Sequence, residues 1–248
     1  MRAALLACAC CVSLLLGVHS PGFAQQRVTS DGQLATAINQ LGDFDFDVRT
    51  QASRLIRRMP LERVEPRLVL TILGHEDGYV RFRALVLLTG FGQAAADVIR
   101  GVISDPNDRL RAVAYGYLEH NPDPAMVEHL LAALETETSE FVRPALIRAL
   151  ASHANERTVR LRLMADIDRG VDFFRGAVIE ALGDRGARYA VGSLINVASE
   201  SGPLQDDALL ALAKIGDPRV LPLLATLQGR NAELEPVVSG VAAALGVD

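Results

Sequence analysis

Near the start of the chain, "GDFDFD" (Gly42–Asp47) sets acidic side chains at alternate positions, as the opening of a calcium loop does. Such a loop needs glycine at its sixth position and a bidentate glutamate at its twelfth. Val48 and Arg54 stand there instead. The reading that fits is a helix start, with Asp45 as the cap and Phe44 and Phe46 packed beneath it. His75, His120, His129 and His153 form no HExxH pair and have no cysteine partners for a zinc set. His120 and His153 are expected in solvent-exposed turns. No GxSxG, phosphate loop, GxGxxG or cysteine nucleophile is present. Asp166 with Asp168, and Asp206 with Asp207, read as helix-end charges. No metal and no cofactor is expected.

Arginine supplies the densest chemistry. "RLIRRMPLERVEPR" (Arg54–Arg67) holds five arginines against Glu62 and Glu65, and "ERTVRLR" (Glu156–Arg162) is a second such stretch. Guanidinium groups pair bidentately with carboxylates. Arg63, Arg67, Arg157 and Arg160 are therefore the candidate partner-binding residues, an anchor for an acidic protein surface. The competing reading is a solvated helix face.

The elements that would position these groups begin after a separate N-terminal segment. Met1-Arg2 gives one positive charge, Ala3–Val18 is apolar, and "SPGFA" (Ser20–Ala24) ends in small residues. This is the grammar of a secretory signal (residues 1–24) cleaved after Ala24. The apolar run falls short of the roughly 20 residues of a membrane span, and an uncleaved anchor is the other reading. The lipoprotein-like "LLAC" has too little apolar sequence before Cys8 to serve as a signal. Cys8, Cys10 and Cys11 all lie in this segment, so the exported chain would be held by packing without disulfides. Localisation is expected to be exported, and periplasmic in a diderm bacterium, with no stable membrane span after cleavage. Residues 25–100 carry ten basic against nine acidic side chains, and residues 101–248 carry fourteen against twenty-one. Neither half has the basic footprint of a nucleic-acid binder. Aromatics are 5% of the chain and tryptophan is absent, which suits close-packed helices.

A pattern then recurs: a capping Asp or Ser, Arg four residues later, Ala, and a Leu-rich stretch that stops. It falls at Arg49, Arg81, Arg109, Arg143 and Arg175, with Gln205 and Val238 at the same position, at spacings of 32, 28, 34, 32, 30 and 33 residues. Periods of this size mean stacked supersecondary units. Asp45, Asp77, Asp105, Ser139 and Ser201 are expected N-caps. Gly90, Gly183, Gly216 and Gly246 are expected helix stops, and Asp217-Pro218 starts the next helix. Ser30–Leu41 reads as a capped N-terminal helix. Helices of 10–14 residues are marginal alone (about 12–15 are needed in water), so each must bury its face against neighbours.

"ALAKIGDPRVLPLLATL" (Ala211–Leu227), "DGYVRFRALVLL" and "FFRGAVIEALGD" resemble HEAT repeats, particularly the short phycobilisome lyase-type variety. The resemblance covers Phe44–Asp248. It implies an all-α, right-handed α-solenoid of about seven stacked antiparallel helix pairs, first helices convex and second helices concave. In that family the recurring Arg helps tie neighbouring repeats, so the ladder should weaken at Gln205 and Val238. The domain organisation expected is a signal peptide (1–24), a capping helix and linker (25–43) and the repeat domain (44–248).

The function expected is an exported non-catalytic scaffold that holds an unknown protein partner on its concave or edge surface. Fold analogy leaves two alternatives: an enzyme or small-ligand binder such as a bilin lyase, and a structural subunit of an envelope assembly. The apolar "VAAALGVD" (Val241–Asp248) suggests end-to-end self-association through the C-terminal repeat.

Overall fold

The computed structural model describes residues 22–230 and 232–246, with side chains from Asp31 onward. The expected signal segment lies, through residue 21, outside the described residues. Among the described residues every regular element is helical, and no helix is long and apolar enough to cross a membrane.

Helix α1 (Gly22–Asn39) leads the stack. It already runs through position 30, so this helix does not start at Ser30 as expected. Helix α1 packs on α2 (Phe46–Arg58) as the first of seven pairs, followed by α3 (Leu61–Gly74) with α4 (Gly78–Thr89), α5 (Ala96–Val102) with α6 (Asp108–His120), and α7 (Val127–Thr136) with α8 (Arg143–Ala151). Then come α9 (Arg157–Asp166) with α10 (Asp172–Asp184), α11 (Val191–Ser199) with α12 (Gln205–Ile215), and α13 (Leu221–Leu227) with α14 (Glu235–Ala244). The expected seven pairs are present, in an α-solenoid, and the recurring position lies on the second helix of each pair, not the first. Val241, the first residue of the apolar stretch from which self-association was expected, is buried, as is Val238. The positions α14 leaves open are small, such as Ser239, Gly240 and Ala243.

Local chemistry explains most boundaries. Asp45 accepts from the N–H groups of Asp47 (2.7 Å) and Val48 (3.4 Å), and Asp77 from Tyr79 (2.7 Å). Asp217 does the same for Arg219, and Gly216 ends α12 at φ 66°. Five expectations differ. Helix α6 is capped by Asn107, and Asp105 instead accepts from the Asn107 N–H. Ser139 makes no side-chain cap, because its turn is ordered by Glu137, which accepts its N–H at 2.9 Å. Ser201 lies outside α12, which starts on Leu204. Gly183 lies inside α10 and stops nothing, whereas Gly90 closes α4 as expected, though with right-handed backbone. Phe44 and Phe46 are both exposed, since Arg49 occupies the space behind that loop and donates to the Asp43 (2.6 Å) and Phe44 (2.8 Å) carbonyls.

The helices that carry the recurring position (α2, α4, α6, α8, α10, α12, α14) form one layer, here called the index layer. From α4 onward each approaches the next within 8 Å between Cα atoms along its length, whereas consecutive members of the other layer meet only at isolated points or not at all. A stack whose one layer is more closely spaced curves toward that layer. The index helices are therefore the concave side; the sequence pattern reads them as first helices and so as convex, but they are the second helices of their pairs. Small residues permit the close spacing: a Cβ on Gly183 would lie 2.8 Å from the Ala211 Cα of α12.

Gly183→Ala should therefore destabilise the chain by about 1–3 kcal/mol through overpacking of α10 on α12. Gly192→Ala is the control, since nothing lies within 4 Å of its Cβ. It should be neutral or stabilise slightly, as an exposed helical Gly→Ala does. Thermal melts of the two variants check both.

Candidate functional site

The four arginines singled out in the sequence do not come together. Arg63 and Arg67 stand on α3, Arg157 and Arg160 on α9, with α5 and α7 between them in the outer layer. Arg63 is half-buried, with Nε 3.9 Å from Asp31 of α1. Arg67 and Arg157 are exposed. Arg160 is committed to structure: it donates to the Ala154 (3.2 Å) and Asn155 (3.0 Å) carbonyls and lies over the Tyr189 ring of the next repeat, 6.0 Å from its centroid.

The recurring position forms the buried ladder. Arg81 donates to the Ile72 carbonyl (2.7 Å), Arg175 to Ile167 (2.8 Å), and both carbonyls end a preceding outer helix. Such carbonyls have no partner inside their own helix. In the third repeat Arg111 stands at the equivalent place but donates to the Asp105 carbonyl (2.8 Å) in the loop before its own helix, while Arg109 lies over Tyr79. Gln205, expected to weaken the ladder, donates its side-chain N–H to the Ala198 carbonyl (2.9 Å) and so keeps it. Arg143 stacks on Phe174, 4.5 Å from the centroid. Two ion pairs reach forward to the next repeat. Arg81 pairs with Asp105. Arg111 grips Glu137 through two 2.8 Å bonds.

With Arg111 as the third index residue, side chains on the open face of the index layer fall into register. Tyr79, Arg109, Phe141 and Phe173 each stand two residues before the index position. Phe141 is 66% exposed and Phe173 60%. Five residues after it stand Arg54, Arg148, Glu180 and Leu210; nine after it stand Arg58, Asp184 and Lys214. The face is thus basic at its α2 end and acidic at its α10–α12 end. Across its middle, Arg148 pairs with Glu119 at 3.1 Å. Between α8, α10 and α12 the face dips into an open groove of about 420 Å³, lined by Pro144, Phe173, Ala177, Glu180, Asp207 and Leu210. Sequence reasoning missed this row. The signal was the 28- and 34-residue spacing on either side of Arg109, which becomes 30 and 32 once Arg111 replaces it.

His120 is exposed, but His153 is 3% exposed and its Nε2 has no hydrogen-bond partner among the described residues. It follows α8 in a tight turn that packs it inward. Burial pushes its imidazole below the ordinary 6.5, with Asp123 and Glu156 opposing and Arg185 adding to the shift. No group of three or more possible metal ligands converges among the described residues.

Two predictions follow from these buried groups. Arg111→Ala leaves Glu137 buried without its partner and should cost about 3 kcal/mol, read by denaturant unfolding. Because the folded pKa of His153 is depressed, the unfolded chain takes up its proton first as pH falls below 6.5. Stability should decline through that range, and His153→Leu should flatten the decline in melts between pH 7.5 and 5. Glu137 acts lower. Burial alone would raise its carboxyl, but the Arg111 hydrogen bonds, the Ser139 and Thr138 N–H groups and the Arg111 charge together hold it below 4.5. Its contribution is present above that value and is lost on further acidification.

Comparison with known proteins places these observations. No curated protein matches the chain. Among solved structures, human deoxyhypusine hydroxylase in complex with glycerol is similar over 90% of this chain and 99% of its own, at 17% identity and a TM-score of 0.42. Residues 65–151 match HEAT repeats, and residues 204–228 match the PBS lyase HEAT-like repeat. Those two segments carry HEAT repeats, and together they support the HEAT-repeat family for the chain.

Proposed function

We propose that the chain is an exported, non-catalytic scaffold that holds a protein partner on the concave index layer. One observation carries the reading: Phe141 and Phe173 occupy the same position in neighbouring repeats and stand open at the starts of helices that are otherwise tightly packed, Phe141 in the turn before α8 and Phe173 in the first turn of α10. Large aromatic side chains on a rigid face are the usual anchors of a protein interface. A regular row of them suits an elongated partner lying along the arc. Export rests on the n-region, apolar run and small-residue site of residues 1–24. The non-catalytic part rests on a sequence without nucleophile, phosphate-loop or metal-ligand motifs.

Site-specific photo-crosslinking tests the reading in the source organism. A benzophenone side chain at Phe141 should trap the partner, and one at Phe173 should also trap a protein. One at Leu161, exposed on the outer helix α9, should not. Equal trapping from both faces, or none from the inner one, overturns the concave assignment. The protein recovered from the cell envelope should begin at Gln25. Full-length chain confined to the cytosol would rule out export.

A further inference from the structure

The two ends of the concave face carry opposite charge, each beside exposed apolar side chains, and the Glu180 carboxylate helps Asp184 to raise the Lys214 pKa without a direct ion pair of its own. At the α10–α12 end, Lys214 is taken by Asp184 at 2.7 Å and Asp172 by Arg175 at 3.0 Å. Glu180 and Asp207 form no ion pair and accept no hydrogen bond among the described residues. They flank Phe173 and Leu210, the latter 51% exposed. The groove between these side chains is low-floored because Gly176 has no Cβ; one placed there would meet the Asp207 carboxylate at 3.3 Å.

At the α2 end the pattern is inverted. Arg54 and Arg58 are exposed and likewise form no ion pair or hydrogen bond among the described residues. Beside them Leu55 is 40% exposed. Arg54 and Glu180 occupy the same position of their repeats, as do Arg58 and Lys214, so both patches face the inside of the arc. Two copies can be set concave side to concave side, with α14 of each extending past the contact. If they are related by a two-fold axis near α6, the α2 end of each meets the α10–α12 end of the other. Both contacts are then complementary and identical, as an isologous interface requires.

We propose that the chain forms an antiparallel two-fold dimer in which Arg54, Leu55 and Arg58 of one copy dock on Glu180, Asp207 and Leu210 of the second. The occupant is a second copy because the chain itself carries the basic, apolar-centred surface that the acidic groove complements. The inference rests on the concave layer being an interaction surface. The centre of the face, including Phe141, stays open between the two arcs.

Light scattering and sedimentation of residues 25–248 test it. The wild type should pass from monomer to dimer with rising concentration, and added salt should weaken the dimer, since the pairs are surface-exposed. Arg54→Glu with Arg58→Glu should weaken dimerisation at least tenfold, and so should Glu180→Lys with Asp207→Lys. All four sites are exposed, and circular dichroism checks that each variant folds. Mixing the two charge-reversed variants is the decisive arm: both contacts of the mixed dimer are complementary again, so dimers should return. A monomer at every concentration overturns the proposal. So does a dimer indifferent to both reversals, or one that mixing does not restore. A monomer that still crosslinks from Phe141 would remove the dimer and leave the scaffold reading intact.

Discussion

The stack depends on one recurring hydrogen bond, from a side chain in the first turn of an index helix to a carbonyl at the end of the outer helix before it. Arg81, Arg175 and Gln205 all make it. A helix end leaves its last carbonyls without partners, and burying them unpaired is costly. The index residue meets that need and in the same bond ties the two helices of a pair together. An arginine adds positive charge where the preceding helix dipole is negative. Gln205 lacks the charge but has the N–H, and the N–H is the part that the geometry demands.

From that bond follow the two layers. With each outer helix tied to the index helix after it, the index helices are left to pack on one another. They do so through small residues such as Gly183 against Ala211. Their apolar sides are spent on the core, and what remains outward is a single narrow face. Its composition is unconstrained by packing, so it can carry the aromatic row and the charge gradient.

Much of this was legible in the sequence. Repeat period, all-helical class, the Asp45 and Asp77 caps and the Gly216 stop follow from local chemistry acting within a few residues. The arginine ladder was legible as a pattern, except at Arg109. There "DPNDRLR" offers two candidate caps and two arginines, and only the tertiary partner Glu137 decides for Asn107 and Arg111. Which layer is concave was not legible, because it depends on spacing between helices thirty residues apart. The candidate arginines were chosen for charge density. Charge density does not distinguish Arg160, spent on two carbonyls, from Arg54, which is free of such bonds.

The unequal spacing of the two layers has a mechanical meaning. The index layer is in close contact and resists both stretching and compression, whereas the outer helices scarcely touch one another. Bending the arc therefore moves the outer helices apart or together at little cost while the index helices keep their separation. In the language of a bent beam, the neutral axis runs through the concave face and not through the middle of the molecule. The pitch from Tyr79 to Phe141 to Phe173 is then preserved as the arc flexes, and the outer surface alone changes its ruler.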